Sequence, residues 1–106
     1  MSSEAAVRAD ATLCVVVLTY VHDLDAVDAR LDQHIEWLRR LYTEGRVLAS
    51  GRRAPRTGGV ILFRGEKESV DAIAATDPFI TSGVATAEVI PFTASMAAPG
   101  LAALLG

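Results

Sequence analysis

Residues 12–44, TLCVVVLTYVHDLDAVDARLDQHIEWLRRLYTE, change their hydrophobic period partway along, and that change decides how the chain is read. TLCVVVLTY, residues 12–20, is β-branched and apolar at both alternating positions, the pattern of a strand covered on both faces. From Asp23 to Glu44 the apolar residues Leu24, Val27, Leu31, Leu38 and Leu41 recur every three or four positions, which predicts one long helix. Asp23 or Asp25 can cap its start by accepting from free amide groups, and Gly45 can take the left-handed conformation that ends it.

Working outward, RVLASGRR at 46–53 and GGVILFR at 58–64 are two further strands, joined through a turn marked by Pro55. A shorter helix starts near Glu66 to Ser69, carries Val70, Ile73 and Ala74 at helical spacing, and ends at about Thr76, because Pro78 disfavours helical geometry at Asp77. VATAEVIPF, residues 84–92, is a last strand. The order strand, helix, strand, strand, helix, strand matches an α+β, ferredoxin-like βαββαβ arrangement, an antiparallel sheet with two helices on one face. Strands apolar on both sides need their second face covered as well, and the same face of a second copy is the simplest cover, so a homodimer forming a dimeric α+β barrel is expected. The organisation is one domain over 12–93, preceded by a flexible extension over 1–11 and followed by a small-residue tail over 94–106.

A length of 106 residues leaves room for one core. Ten Lys plus Arg against thirteen Asp plus Glu give a formal net charge of -3, which argues against nucleic acid or an anionic membrane as a partner. The apolar run from Leu13 to Leu18 is too short for a signal-peptide core or a membrane span, so a soluble, unprocessed, cytoplasmic protein is expected. The single cysteine, Cys14, excludes an internal disulfide and reads as a buried small hydrophobe. No Cys/His spacing resembles a structural metal site; His22 with Asp23 or Asp25 is the weak alternative, and those carboxylates are more simply helix caps. Gly58 and Gly59 open a strand rather than a helix and make no phosphate loop, and no cofactor is implied.

One residue breaks the pattern. With His34 at zero on a helical wheel, Val27, Leu31, Leu38 and Leu41 all fall within about 60° of it at ~100° per residue, while Asp28, Asp32, Glu36, Arg39 and Arg40 lie opposite or on the flanks. The imidazole therefore points inward, where an unsatisfied polar group costs on the order of 1–3 kcal/mol, and it needs a partner. A structural histidine and a working one both fit this position. Trp37, at the edge of the stripe, reads as packing or an interface contact.

Three segments read together, DQHIEWLRRLYTEGRVLASGR at 32–52, TDPFITSGVA at 76–85 and EVIPF at 88–92, resemble the YciI-like family. Its pattern is a helical histidine, a Gly-Arg strand ending in Ser/Ala-Gly, an Asp-Pro-Phe/Tyr followed by Gly-Val, and a closing strand ending in Pro-Phe. The resemblance covers roughly residues 12 to 93. It implies a dimeric ferredoxin-like barrel with a site built around the histidine and the Asp-Pro aspartate, here His34 and Asp77, with Ser50 beside them; chemistry of the lyase or dehalogenating type is attributed to some members. Two departures stand out. Arg52 follows the Ser-Gly pair where many relatives have proline, and Leu31 stands where an arginine is common three residues before the histidine, leaving Arg30 as a possible substitute about 40° from His34 on the wheel.

A carboxylate accepting from one imidazole nitrogen would fix the tautomer and leave the other as a base, making His34 the general acid or base and Asp77 its orienter. Asp77 also reads as an ordinary turn starter before Pro78. Ser50, Gly51 and Phe79 are candidate substrate contacts, as are Arg30 and Arg52. The run GRRAPR reads either as a solvated hairpin tip or as an attraction for a small organic anion. Two functions stay open: a cofactor-independent enzyme moving a proton on a small cyclic organic molecule, or a non-catalytic ligand-binding or assembly module.

Overall fold

The computed structural model describes residues 6–105. It contains β1 (Val7–Tyr20), α1 (Leu24–Asp28), α2 (Leu31–Thr43), β2 (Val47–Arg52), β3 (Gly58–Arg64), α3 (Lys67–Ala74), α4 (Pro78–Thr81), β4 (Ala85–Ala97) and α5 (Pro99–Leu105). The strands form a single antiparallel sheet in the order β2-β3-β1-β4, so the α+β, ferredoxin-like expectation holds.

Cross-strand register fixes which side chains share a face. One row runs Ser50, Ile61, Val16, Val89 and the next runs Arg52, Gly59, Leu18, Ala87. This is the face covered by α2, α3 and α4, where Cys14, Val16, Leu18, Ile61 and Phe63 pack with Val27, Trp37, Leu41, Val70, Ala74 and Phe79. Burying that much aliphatic and aromatic surface, at ~25 cal/mol per Å², is what holds helices to sheet. The opposite face is also apolar, with Val15, Val17 and Leu62 half-buried and Val60, Ile90 and Phe92 exposed.

Four elements differ from the sequence reading, each for a local reason. The long helix is two: Arg30 N bonds back to Val27 O at 2.9 Å, a tighter i to i−3 turn, and the ladder resumes with His34 N on Arg30 O at 3.0 Å. Asp23 does cap the first piece, its Oδ1 accepting from Ala26 N at 2.9 Å, and Gly45 has φ 74 after the second, as expected. The first strand begins at Val7 rather than at 12, because Val7, Ala9 and Ala11 alternate with the more exposed Arg8, Asp10 and Thr12 and pair with β4 out to Ala97. A register shift between Arg8 and Ala11, with Asp10 at φ 51, interrupts this ribbon. The extension proposed over 1–11 therefore holds strand from Val7 on, and residues 1–5 lie outside the described residues.

Pro78 opens a short helix instead of only ending one, since a proline tolerates the first helical position, where no amide donor is needed. The tail is also structured. β4 is an edge strand, which is why it accommodates Pro91, and α5 folds back so that Arg64 Nη2 donates to Leu104 O. Contacts of α5 with β1 and β4 cover one end of the outer face, which accounts for the burial of Leu13 there. No helix among the described residues is long and apolar enough to cross a membrane.

Candidate active site

His34 stands on α2 and Asp77 at the start of α4, 43 residues apart in sequence, and the fold brings Nδ1 within 2.8 Å of Asp77 Oδ1. Asp77 is fully buried and His34 is 8 % exposed. The same Oδ1 accepts from Phe79 N at 2.9 Å, which makes Asp77 the cap of α4 as well as the partner of the histidine. The two readings of Asp77 are thus one arrangement. Its other oxygen, Oδ2, is buried without a partner, so the carboxylate is directed by two donors on a single oxygen.

The imidazole is clamped between rings. Phe79 stacks on it with centroids 4.0 Å apart and planes at 10°, and Trp37 lies on the α2 side at 5.8 Å and 29°. Each clamp is itself anchored: Trp37 Nε1 donates to Thr76 Oγ1 at 2.9 Å, and Tyr20 meets Phe79 edge-on at 5.8 Å. Ring, carboxylate and α4 therefore form one packed block on that side. With Asp77 as the acceptor, Nδ1 carries the proton of the neutral ring and Nε2 is the free nitrogen. Nε2 makes no hydrogen bond and is not sealed from solvent, because His34 also lines a cavity.

That cavity, of about 160 Å³, lies between α2 and the helix-covered face of the sheet. Leu18, Leu31, Ile35, Leu38, Ile61 and Phe79 supply apolar walls, and Ser50 and Arg52 bring polar groups from edge strand β2. Gly59 stands in the row between Arg52 and Leu18 and lines the cavity without a side chain to fill it; a Cβ there would meet Gly51 O at 3.0 Å. Gly58 is required, since a Cβ there would meet Leu18 O at 1.8 Å.

Of the residues singled out in sequence, His34, Ser50, Gly51, Arg52 and Phe79 line this cavity, and Asp77 stands behind His34 without reaching it. Arg30 does not line it. The break between α1 and α2 puts Arg30 at the exposed N-cap of α2, outside the wheel on which its 40° offset was measured. Tyr20, Gly59 and Tyr42 were missed. Tyr42 OH lies 2.7 Å from Ser50 Oγ and so fixes a hydroxyl on the cavity rim; the signal was helical, because Tyr42 stands eight residues after His34 on the same helix.

Next to Tyr20, which lines the cavity, Arg56 Nη2 donates to Asp28 Oδ1 at 2.5 Å, and the Arg56 guanidinium lies 6.0 Å from the Tyr20 ring centroid. The Arg56 hydrogen bond holds the Asp28 carboxyl below its ordinary range, against partial desolvation, with the charges of Arg56 and then Arg52 adding to it. Elsewhere on the same helix-covered face, burial pushes the Cys14 thiol up, consistent with an inert core residue whose Sγ donates to Gly65 O at 3.5 Å. No group of three or more His, Cys, Asp or Glu side chains suited to a metal occurs among the described residues.

A ferredoxin-like sheet whose covered face holds a cavity, bounded by a carboxylate-oriented histidine, defines a class of small α+β domains with a half-open His–Asp pair. The family model of the YCII-related domain matches residues 12–93, and the chain belongs to that family. Among solved structures it is similar to a 5-chloro-2-hydroxyhydroquinone dehydrochlorinase from Burkholderia phenoliruptrix in complex with 2,5-dihydroxybenzoquinone. That likeness has a TM-score of 0.63 at 15 % identity and covers 76 % of this chain and 90 % of the other, which establishes the shared fold. No curated protein matches the chain.

Proposed function

We propose that the protein is a small cofactor-independent enzyme that moves a proton on a cyclic organic molecule, with His34 as general acid or base and Asp77 as its positioning residue. The observation that carries this reading is the asymmetry of the imidazole, Nδ1 held by a buried carboxylate and Nε2 left free beside a ligand-sized cavity. Nε2 would take a proton from a ring C–H or O–H. The electron pair then either expels a substituent, as in a lyase or dehalogenating elimination, or is reprotonated elsewhere, as in an isomerisation. A dehydrochlorinase of a hydroxylated ring on the same fold supports the first course.

The test is proton chemistry on hydroxylated and chlorinated hydroquinones in deuterated water, following deuterium incorporation and chloride release. His34→Asn keeps an amide donor for Asp77 but removes the base. We expect turnover by the wild type and none by His34→Asn, with both folded. A variant as active as the wild type contradicts the reading. The second reading, a non-catalytic module, is favoured by Asp77 Oδ1 also capping α4; it predicts that the same substitution changes stability alone.

The outer sheet face supports a homodimer as the working form. Val60, Ile90 and Phe92 are exposed on it beside the half-buried Val15, Val17 and Leu62, a continuous apolar surface of the kind that a second copy covers. Light scattering at micromolar concentration should give twice the chain mass, and Phe92→Asp should give a monomer; a monomeric wild type contradicts this.

A further inference from the structure

Among the described residues that line the cavity beside His34 there is one guanidinium, that of Arg52, and its surroundings say what it is free to do. Arg52 lies opposite Gly59 and in the row of Leu18, so its side chain leaves β2 on the helix-covered face, at the cavity. Its neighbours are engaged elsewhere. Arg53 Nη1 donates to Thr19 Oγ1 at 3.2 Å, and Arg56 is joined to Asp28. Among the described residues no carboxylate forms an ion pair with Arg52, and Asp28, the acid whose charge it feels, is already bonded to Arg56. One uncommitted guanidinium therefore borders a space whose aliphatic walls are Leu18, Leu31, Ile35, Leu38 and Ile61.

Size and charge together narrow the ligand. A cavity near 150 Å³ lined by aliphatic side chains holds one benzene ring, and this one is about 160 Å³. A single free cation balances a monoanion, and the planar fork of a guanidinium matches the two oxygens of a carboxylate. A phosphate carries more charge than one guanidinium balances, the other polar side chains on the walls being those of Tyr20, His34 and Ser50.

We propose that the pocket takes a single-ring carboxylic acid in its ionised form, the carboxylate on Arg52 and the ring on the aliphatic wall with one edge towards Nε2 of His34. This rests on the reading of His34 as the acid/base group only for the edge that reacts; the recognition itself depends on Arg52. The probes are benzoate and benzamide, matched in shape and different in charge, titrated by calorimetry or by NMR at low salt. Benzoate should bind at least about fivefold more tightly than benzamide, the gap should narrow as salt is added, and Arg52→Gln should close it. Equal affinities, binding of neither probe, or a gap that survives Arg52→Gln overturns the proposal. Selective benzoate binding by a protein that performs no proton transfer would refute the acid/base reading and leave this one standing, whereas proton transfer without the charge preference would do the reverse.

Discussion

On its closed side, His34 meets buried residues that also hold the fold: Asp77 caps α4, Phe79 fills the core and Trp37 ties α2 to Thr76. On the β2 side the ring meets a cavity bordered by Ser50 and Arg52, exposed side chains that pack little. The two sides together let a domain of 106 residues hold an imidazole in one orientation without weakening its core. Orientation of the ring falls to groups the fold needs anyway, while the cavity rim is made of groups that can vary with little cost to stability.

Substitutions on the two sides should therefore part stability from binding, and the largest effect belongs to the closed side. Asp77→Ala removes the helix cap and the imidazole partner together and leaves His34 Nδ1–H without an acceptor, which should cost about 3 kcal/mol in chemical denaturation. A cost within experimental error would show that the block is not cooperative. Trp37→Phe keeps the ring but loses the bond to Thr76 Oγ1, for about 1 kcal/mol. On the open side, Arg52→Gln and Ser50→Ala should each stay within about 0.5 kcal/mol of the wild type in the same assay. A loss on the open side as large as that of Trp37→Phe would erase the distinction.

The smallest effect concerns the pair of Arg56 and Asp28. Because Arg56 holds the folded Asp28 carboxyl below its unfolded value, their bond adds stability above the ordinary carboxylate range, near pH 4, and that contribution is lost as pH falls through the lowered folded value. The stability gap between wild type and Asp28→Asn should thus be constant at neutral pH and shrink in acid. A gap that widens on acidification would contradict the assignment.

The order of elements and the inward histidine were legible because both depend on hydrophobic pattern, which the sequence carries directly: the unbroken apolar runs in TLCVVVLTY and GGVILFR, and the spacing of Leu31, His34, Leu38 and Leu41. The break at Ala29 and Arg30 was not, since neither residue opposes helix and only tertiary packing separates α1 from α2. Arg30 was misplaced for that reason. The strand from Val7 was hidden behind charges that mark only its exposed face, and α5 behind a small-residue composition with no strong period. At the site, His34, Asp77, Ser50 and Arg52 were visible as residues, but the place of Gly59 in the cavity wall becomes readable only once the register sets it between Arg52 and Leu18.

The proposed chemistry rests on Asp77 holding the proton on Nδ1, so that His34 presents a free Nε2 to the cavity. Long-range proton–nitrogen NMR of the folded protein reads this directly in the neutral ring, with benzoate added as the occupant. The account predicts the Nδ1–H tautomer, with the Nε2 resonance moving as the cavity fills. A ring protonated on Nε2, or an Nε2 resonance unmoved by a bound ligand, would contradict it.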